Sequence, residues 1–178
     1  MKTKILSLLS LSVLALVMFA GITSAVTISE WNLTTDGSAI NVNTDVTAGD
    51  FNLGSGVDFD ATTPFDEKGA RVENWPTADS VDTTKYFQVT IAPQTGNTLT
   101  ISDVNFDYSA SAQGPASFQL QYSTATSFAS PTTLTTKIDV DNVDTAETSS
   151  NSGLSIQVNS GETLTLRWFG YDFNGVTN

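Results

Sequence analysis

Past residue 26 the apolar residues of this chain recur at every second position, and no stretch carries a helical period. Period two is the spacing at which successive side chains leave opposite faces of a strand, so each such run reads as a strand with one buried face. The fullest statement of the pattern occupies residues 99–129. There Leu99 and Ile101, then Val104, Phe106 and Tyr108, then Phe118, Leu120 and Tyr122 alternate with polar residues on either side of Gly114-Pro115. The apolar set slips by one position between Ile101 and Val104. A one-residue slip turns a strand inside out, so a β-bulge at Ser102-Asp103 is needed to keep both halves on one face.

Shorter runs repeat the pattern: Val26, Ile28, Trp31 and Leu33; residues 70–75, closed by Pro76; Phe87, Val89 and Ile91; residues 134–140, with Ile138 and Val140 inward; Leu154, Ile156 and Val158; and Leu164, Leu166 and Trp168. Residues 93–97 have the length and composition of a hairpin connection, and Asn159-Ser160-Gly161 reads as a turn. Residues 34–67, rich in Asp, Asn and Gly, read as weak strands at 40–42, 51–53 and 57–59 joined by long loops, and residues 141–153 read as a polar loop. Phe128, in a polar stretch, is expected to plug the core from a loop. Short strands punctuated by turn residues predict an all-β fold, an antiparallel β-sandwich. No strand pattern follows residues 163–171, so the last hairpin is expected to lack its second arm and leave an unpaired edge.

The first 25 residues are of another kind. Lys2 and Lys4 precede an apolar run over residues 5–22, and Thr23-Ser24-Ala25 supplies small residues. This is the build of a secretory signal peptide, expected as a helix that is removed to leave a single domain at 26–178. A retained membrane anchor is the other reading, since eighteen residues nearly cross a bilayer. The serines within the run and the lack of a basic stop-transfer cluster favour cleavage, and with it a secreted or cell-surface location.

Charge and composition exclude much chemistry. The chain has 19 acidic and 7 basic residues, and two of the basic ones lie in the leader. The remainder carries a net charge of about −14, which repels nucleic-acid phosphates and anionic lipid; neither is expected as a partner, and no membrane contact beyond the leader. There is no cysteine and no histidine. Disulfides are ruled out, as are Ser-His-Asp and Cys-His catalysis and histidine-based zinc or copper sites. A glycoside hydrolase needs only two carboxylates at a set separation, but among nineteen acids some pair always meets that distance, so the count does not argue for an enzyme.

Tyr86-Phe87 opening a strand, Gly114-Pro115-Ala116-Ser117-Phe118, Ser127-Phe128-Ala129 and residues 166–171 (Leu-Arg-Trp-Phe-Gly-Tyr), with Trp31 and Trp75, resemble a family of secreted, jelly-roll-like β-sandwiches. These domains belong to exosortase-sorted and type IX-sorted cell-surface proteins and look like carbohydrate-binding modules. The resemblance implies a jelly-roll-like sandwich at the cell surface with a glycan as ligand. Two departures stand out. Residues 109–113 are Ser-Ala-Ser-Ala-Gln where the family carries basic residues, and the family's closing strand with its Asp-Asn pair does not follow Tyr171.

Two groups of residues are candidates for a site. Flat aromatic rings bind the C–H face of a sugar while neighbouring polar groups pair with its hydroxyls. Trp75, flanked by Glu73, Asn74 and Pro76, is the best such platform, with Asn74 and Tyr171 as further ligand candidates; core or loop packing is the competing and favoured reading for Trp75. Asp139, Asp141 and Asp144 form the densest carboxylate cluster, and alternate carboxylates at a strand end suit Ca²⁺, a structural cation being the one cofactor the sequence suggests. A solvated strand end in an acidic protein is the competing reading. The resulting expectation is a secreted, non-catalytic module that binds glycan or adheres at the cell surface, partnered by an extracellular glycan or a neighbouring surface protein. The alternative is a structural surface or filament subunit assembling by strand-edge pairing.

Overall fold

The computed structural model describes residues 6–8, 11–15, 26–111, 114–139 and 145–172. They form two antiparallel sheets packed face to face, a β-sandwich with no parallel strand pair. The strands are β1 (Leu6–Leu8), β2 (Leu11–Ala15), β3 (Val26–Trp31), β4 (Val46–Ala48), β5 (Asn52–Leu53), β6 (Asp58–Phe59), β7 (Phe65–Asp66), β8 (Gly69–Glu73), β9 (Phe87–Pro93), β10 (Leu99–Ala110), β11 (Ser117–Ser123), β12 (Thr132–Asp139), β13 (Glu147–Asn151), β14 (Ile156–Val158) and β15 (Leu164–Tyr171).

One sheet is built on β10. Along one edge it pairs with β1 and β2, which lead on to β8 and β3; it also pairs with β13 and β14. The other sheet runs β12-β11-β15-β9-β4, with β5 also on β9. Alternation does what period two demands. Leu99, Ile101, Val104, Phe106 and Tyr108 of β10 are all buried, and the register shifts between Ile101 and Asp103, where the bulge is required. Facing them, Phe87, Val89, Ile91, Phe118, Leu120, Leu164, Leu166 and Trp168 close the core. Trp168 lies at its centre, stacked on Phe87 (centroids 5.4 Å, 17°) and meeting Phe106 of the opposite sheet edge-on (5.4 Å, 78°).

Several connections differ from the sequence reading. Residues 93–97 turn tightly, with Asn97 N donating to Gln94 O (2.9 Å) and Gly96 at φ 88°, but they join β9 in one sheet to β10 in the other. The Gly114-Pro115 and Asn159–Gly161 turns likewise pass between layers. These are arches, not hairpins; of the connections following β9, the one from β11 to β12 closes a true hairpin. β15, the last described strand, is not itself an edge, since it lies between β11 and β9 and pairs with both. The polar loop expected from residue 141 contains β13, whose ladder to β10 is reinforced by Thr148 Oγ1 to Asp107 (2.6 Å), Ser150 Oγ to Asn105 (2.5 Å) and Tyr108 OH to Glu147 (3.1 Å).

Of the leader, expected as a helix, residues 6–8 and 11–15 are described, and they are the strands β1 and β2, each paired with β10. Among the described residues no helix is long and apolar enough to cross a membrane.

Candidate functional site

Trp75 does not present a platform. The β8 strand ends at Glu73, Asn74 takes a left-handed φ of 70°, and the chain turns Trp75 into the core, where it is 3% exposed. Its ring meets Phe87 (6.0 Å, 82°) and Phe118 (6.3 Å, 84°) edge-on, and Nε1 donates to Val72 O (3.1 Å). Tyr171 is buried as well, at 6% exposure. Asn74 is exposed, but Nδ2 donates to Asp58 (2.8 Å) and its carbonyl accepts from Lys85 Nζ. The three residues therefore do not compose a ligand surface. The acidic group is less fully placed: Asp139 ends β12, while Asp141 and Asp144 lie outside the described residues.

Other carboxylates are committed to their own turns. Asp60 accepts from Thr62 N and Thr63 N (2.8 and 2.7 Å). Asp82 accepts from the backbone N–H and the hydroxyl of Thr84 (2.9 and 2.7 Å), and the backbone bond above all holds its carboxyl below the usual range. A cleft of about 400 Å³ opens where β4 meets the β9–β10 arch. The polar groups on its rim are joined to one another: Gln94 N donates to Asp45 O (2.8 Å), Asp45 N to Asn43 Oδ1 (2.9 Å) and Asn97 Nδ2 to Asp45 Oδ1 (3.3 Å).

The surface with unspent chemistry is the outer face of the β9-β15-β11 sheet. On β15, Leu164, Leu166 and Trp168 point inward, so Thr165, Arg167 and Phe169 take the other face. The Arg167 guanidinium lies 3.9 Å from the Tyr86 ring centroid and 4.1 Å from that of Phe128, and Nε donates to Gln88 Oε1 (2.8 Å) across the ladder. Phe169 supports both rings from beneath (5.7 Å to Tyr86, 6.4 Å to Phe128) and is itself buried. Gln121 and Gln119 extend the polar face along β11, Gln121 Nε2 donating to Gln119 Oε1 (2.6 Å) and Gln119 Nε2 to Thr136 O (3.2 Å).

A strained loop holds the upper ring in place. Ser127, Phe128 and Ser130 have φ of 62°, 56° and 50°, in the left-handed region that costs a residue with a Cβ about 1 kcal/mol or more. Phe128 thus lies outside the core, contrary to the expectation of a core plug, because this conformation turns its ring onto Arg167. Buried Ser123 pins the loop: its Oγ donates to Ala129 O (2.8 Å) and accepts from Ala125 N (3.1 Å). Beside the clamp lies a polar trough of about 510 Å³ whose hydroxyls come from Thr124, Thr126, Ser127, Thr163 and Thr165.

Electrostatics single out Arg167. Burial pulls its guanidinium below the ordinary value, partly offset by Tyr86, yet it remains a cation at any physiological pH. Among the described residues the one ion pair is Arg71 with Asp66, so Arg167 has no carboxylate partner in a chain with a large acidic excess. Sequence reasoning passed over Arg167 because it sits inside an aromatic run. Alternation already placed it opposite Leu166 and Trp168, and that was the available signal. In comparisons with protein-family models, curated proteins and solved structures, nothing matches this chain.

Proposed function

We propose that the protein is a secreted, non-catalytic β-sandwich module that binds an extracellular glycan on the outer face of its β9-β15-β11 sheet. The observation that carries this reading is Arg167, clamped between Tyr86 and Phe128 with no carboxylate partner among the described residues. A half-buried guanidinium between two rings is rigid, so little side-chain entropy is lost when it engages a ligand. The exposed parts of the rings take the apolar face of a sugar, the guanidinium nitrogens not bonded to Gln88 reach hydroxyl or carboxylate oxygens, and the hydroxyls of the trough receive the next residue of the chain. The resemblance to carbohydrate-binding sandwiches supports the same class of ligand, though through different residues from those it first suggested.

The test is a glycan array followed by titration calorimetry on the best binder. Arg167→Ala and Phe128→Ala are each expected to weaken binding at least tenfold, about 1.4 kcal/mol, with the fold retained. An array with no binder, or an Arg167→Ala variant that binds like the parent, overturns the reading.

A further inference from the structure

Among the described residues, β10 is joined to β3 through β2 and to β8 through β1. Among the described residues β3 pairs with β2 and is otherwise held by the Glu30–Ile40 bridge and by Asn43 N donating to Ile28 O (2.8 Å), and β8 reaches β10 by way of β1. Without residues 6–15, the backbone groups they satisfy along residues 101–110 would face β3 and β8 across a gap one strand wide, two ladder spacings or about 9.5 Å. Natural edge strands are blunted by charge, proline or short length. The walls of this gap carry charge at Asp103, Asp107, Glu30 and Arg71 but no proline, and β10 is twelve residues long with Ile101, Val104, Phe106 and Tyr108 buried, while β3 brings Ile28 and Trp31.

The same ten residues lie inside the segment whose basic start, apolar run and Thr23-Ser24-Ala25 exit read as a cleavable leader. β1 and β2 are thus strands inside a sheet and, on the sequence reading, part of a leader that export would remove. We propose that residues 26–178 are a strand acceptor. The slot between β10 and the β3/β8 edge takes one extended polypeptide segment, antiparallel to β10, supplied in the uncut chain by β1 and β2 and after processing by a partner chain. The seated segment states the partner's chemistry. Leu11 stands opposite Phe106 and Trp31, Val13 opposite Val104 and Ser29, and Ser12 between Asn105 and Glu30. The incoming strand therefore alternates aliphatic residues with serine, as in Leu6-Ser7-Leu8 and Leu11-Ser12-Val13 before the register shift at Leu14, held by main-chain ladders on both sides. This inference is independent of the glycan surface, which lies on the other sheet.

The test starts from the folded full chain, with a specific protease site placed between Ala25 and Val26 and cut after folding. The leader fragment is expected to stay bound on size exclusion and to exchange with a labelled synthetic peptide of residues 4–17, at one peptide per chain. A peptide with aspartate in place of Leu11 and Val13 is expected to bind at least tenfold more weakly. A fragment that falls away with no change in melting temperature, leaving a protein that takes up no peptide, overturns the proposal, as does equal binding of the two peptides. A second variant covers a failed cut: full-length Val13→Pro loses the ladder at that position and is expected to capture the native peptide where the parent, its slot filled, does not. Capture by neither chain overturns the proposal.

Discussion

At φ 70° Asn74 adopts a backbone conformation that Asn tolerates better than most residues, and this turn aims Trp75 inward. The sequence around Trp75 (Glu73, Asn74, Pro76) looked like an exposed loop because composition reports what flanks a residue and not which way the chain turns it. The packing around the ring is close: a Cβ added to Gly170 would lie 2.7 Å from Trp75 Cε3 and 3.0 Å from Pro115 Cγ. Trp75→Ala is accordingly expected to lower stability by about 3–5 kcal/mol and Gly170→Ala by about 1–3 kcal/mol, the first through a cavity and the second through overpacking. Urea denaturation of the two variants checks both values, and a Trp75→Ala midpoint within error of the parent would contradict the burial of the ring. Arg167 is the opposite case: period two alone puts it on the outer face, but the two rings that clamp it come from Tyr86 and the loop at Phe128, brought together only by the fold.

Among the elements, those with a period-two apolar face were legible, and β3, β8, β9, β10, β11 and β15 all fall where alternation puts them. Partnership was not. Alternation states which face of a strand is buried and says nothing about which neighbour its backbone pairs with, so a short turn between two half-buried strands fits a hairpin and an inter-sheet arch equally well. The β9–β10 and β14–β15 connections are arches. β13 escaped notice because Glu-Thr-Ser-Ser-Asn has no apolar face to alternate. It is held by one ladder, by side-chain bonds to Asp107, Asn105 and Tyr108, and by Thr135 Oγ1 of β12 donating to Asn151 Oδ1 (2.6 Å), with none of its residues buried, whereas β15 is paired on both sides and buries Leu164, Leu166, Trp168 and Phe169. Local opening free energy follows that difference. Hydrogen exchange is therefore expected to be slowest in β15 and, among strands paired to β10, fastest in β13; protection in β13 equal to that of β15 would show the edge to be stabilised by something besides its ladder.

For the molecule as a whole, the acidic residues do local structural work while their charges repel. Asp36, Asp60, Asp66 and Asp82 each accept from a backbone N–H two or three residues on, tying the Asp-rich loops that join the early strands. Such bonds satisfy the carboxylate oxygens without cancelling the charge, and 19 acids against 7 bases leave −12 on the full chain. Self-repulsion at that charge opposes the compact state, and screening relieves it. Raising NaCl from 0.01 to 0.1 M shortens the Debye length from about 30 to about 10 Å, so the melting temperature is expected to rise, by about 2–4 °C for each kcal/mol of repulsion removed. A chain stabilised mainly by ion pairs would respond in the other direction, because salt weakens attraction as readily as repulsion. CaCl₂ at matched ionic strength separates screening from binding. Screening requires the two salts to act alike, whereas a cation held by Asp139, Asp141 and Asp144 adds an increment in Ca²⁺ that Asp141→Asn abolishes and that NaCl cannot reproduce, because Na⁺ lacks the charge density to order three carboxylates at one strand end.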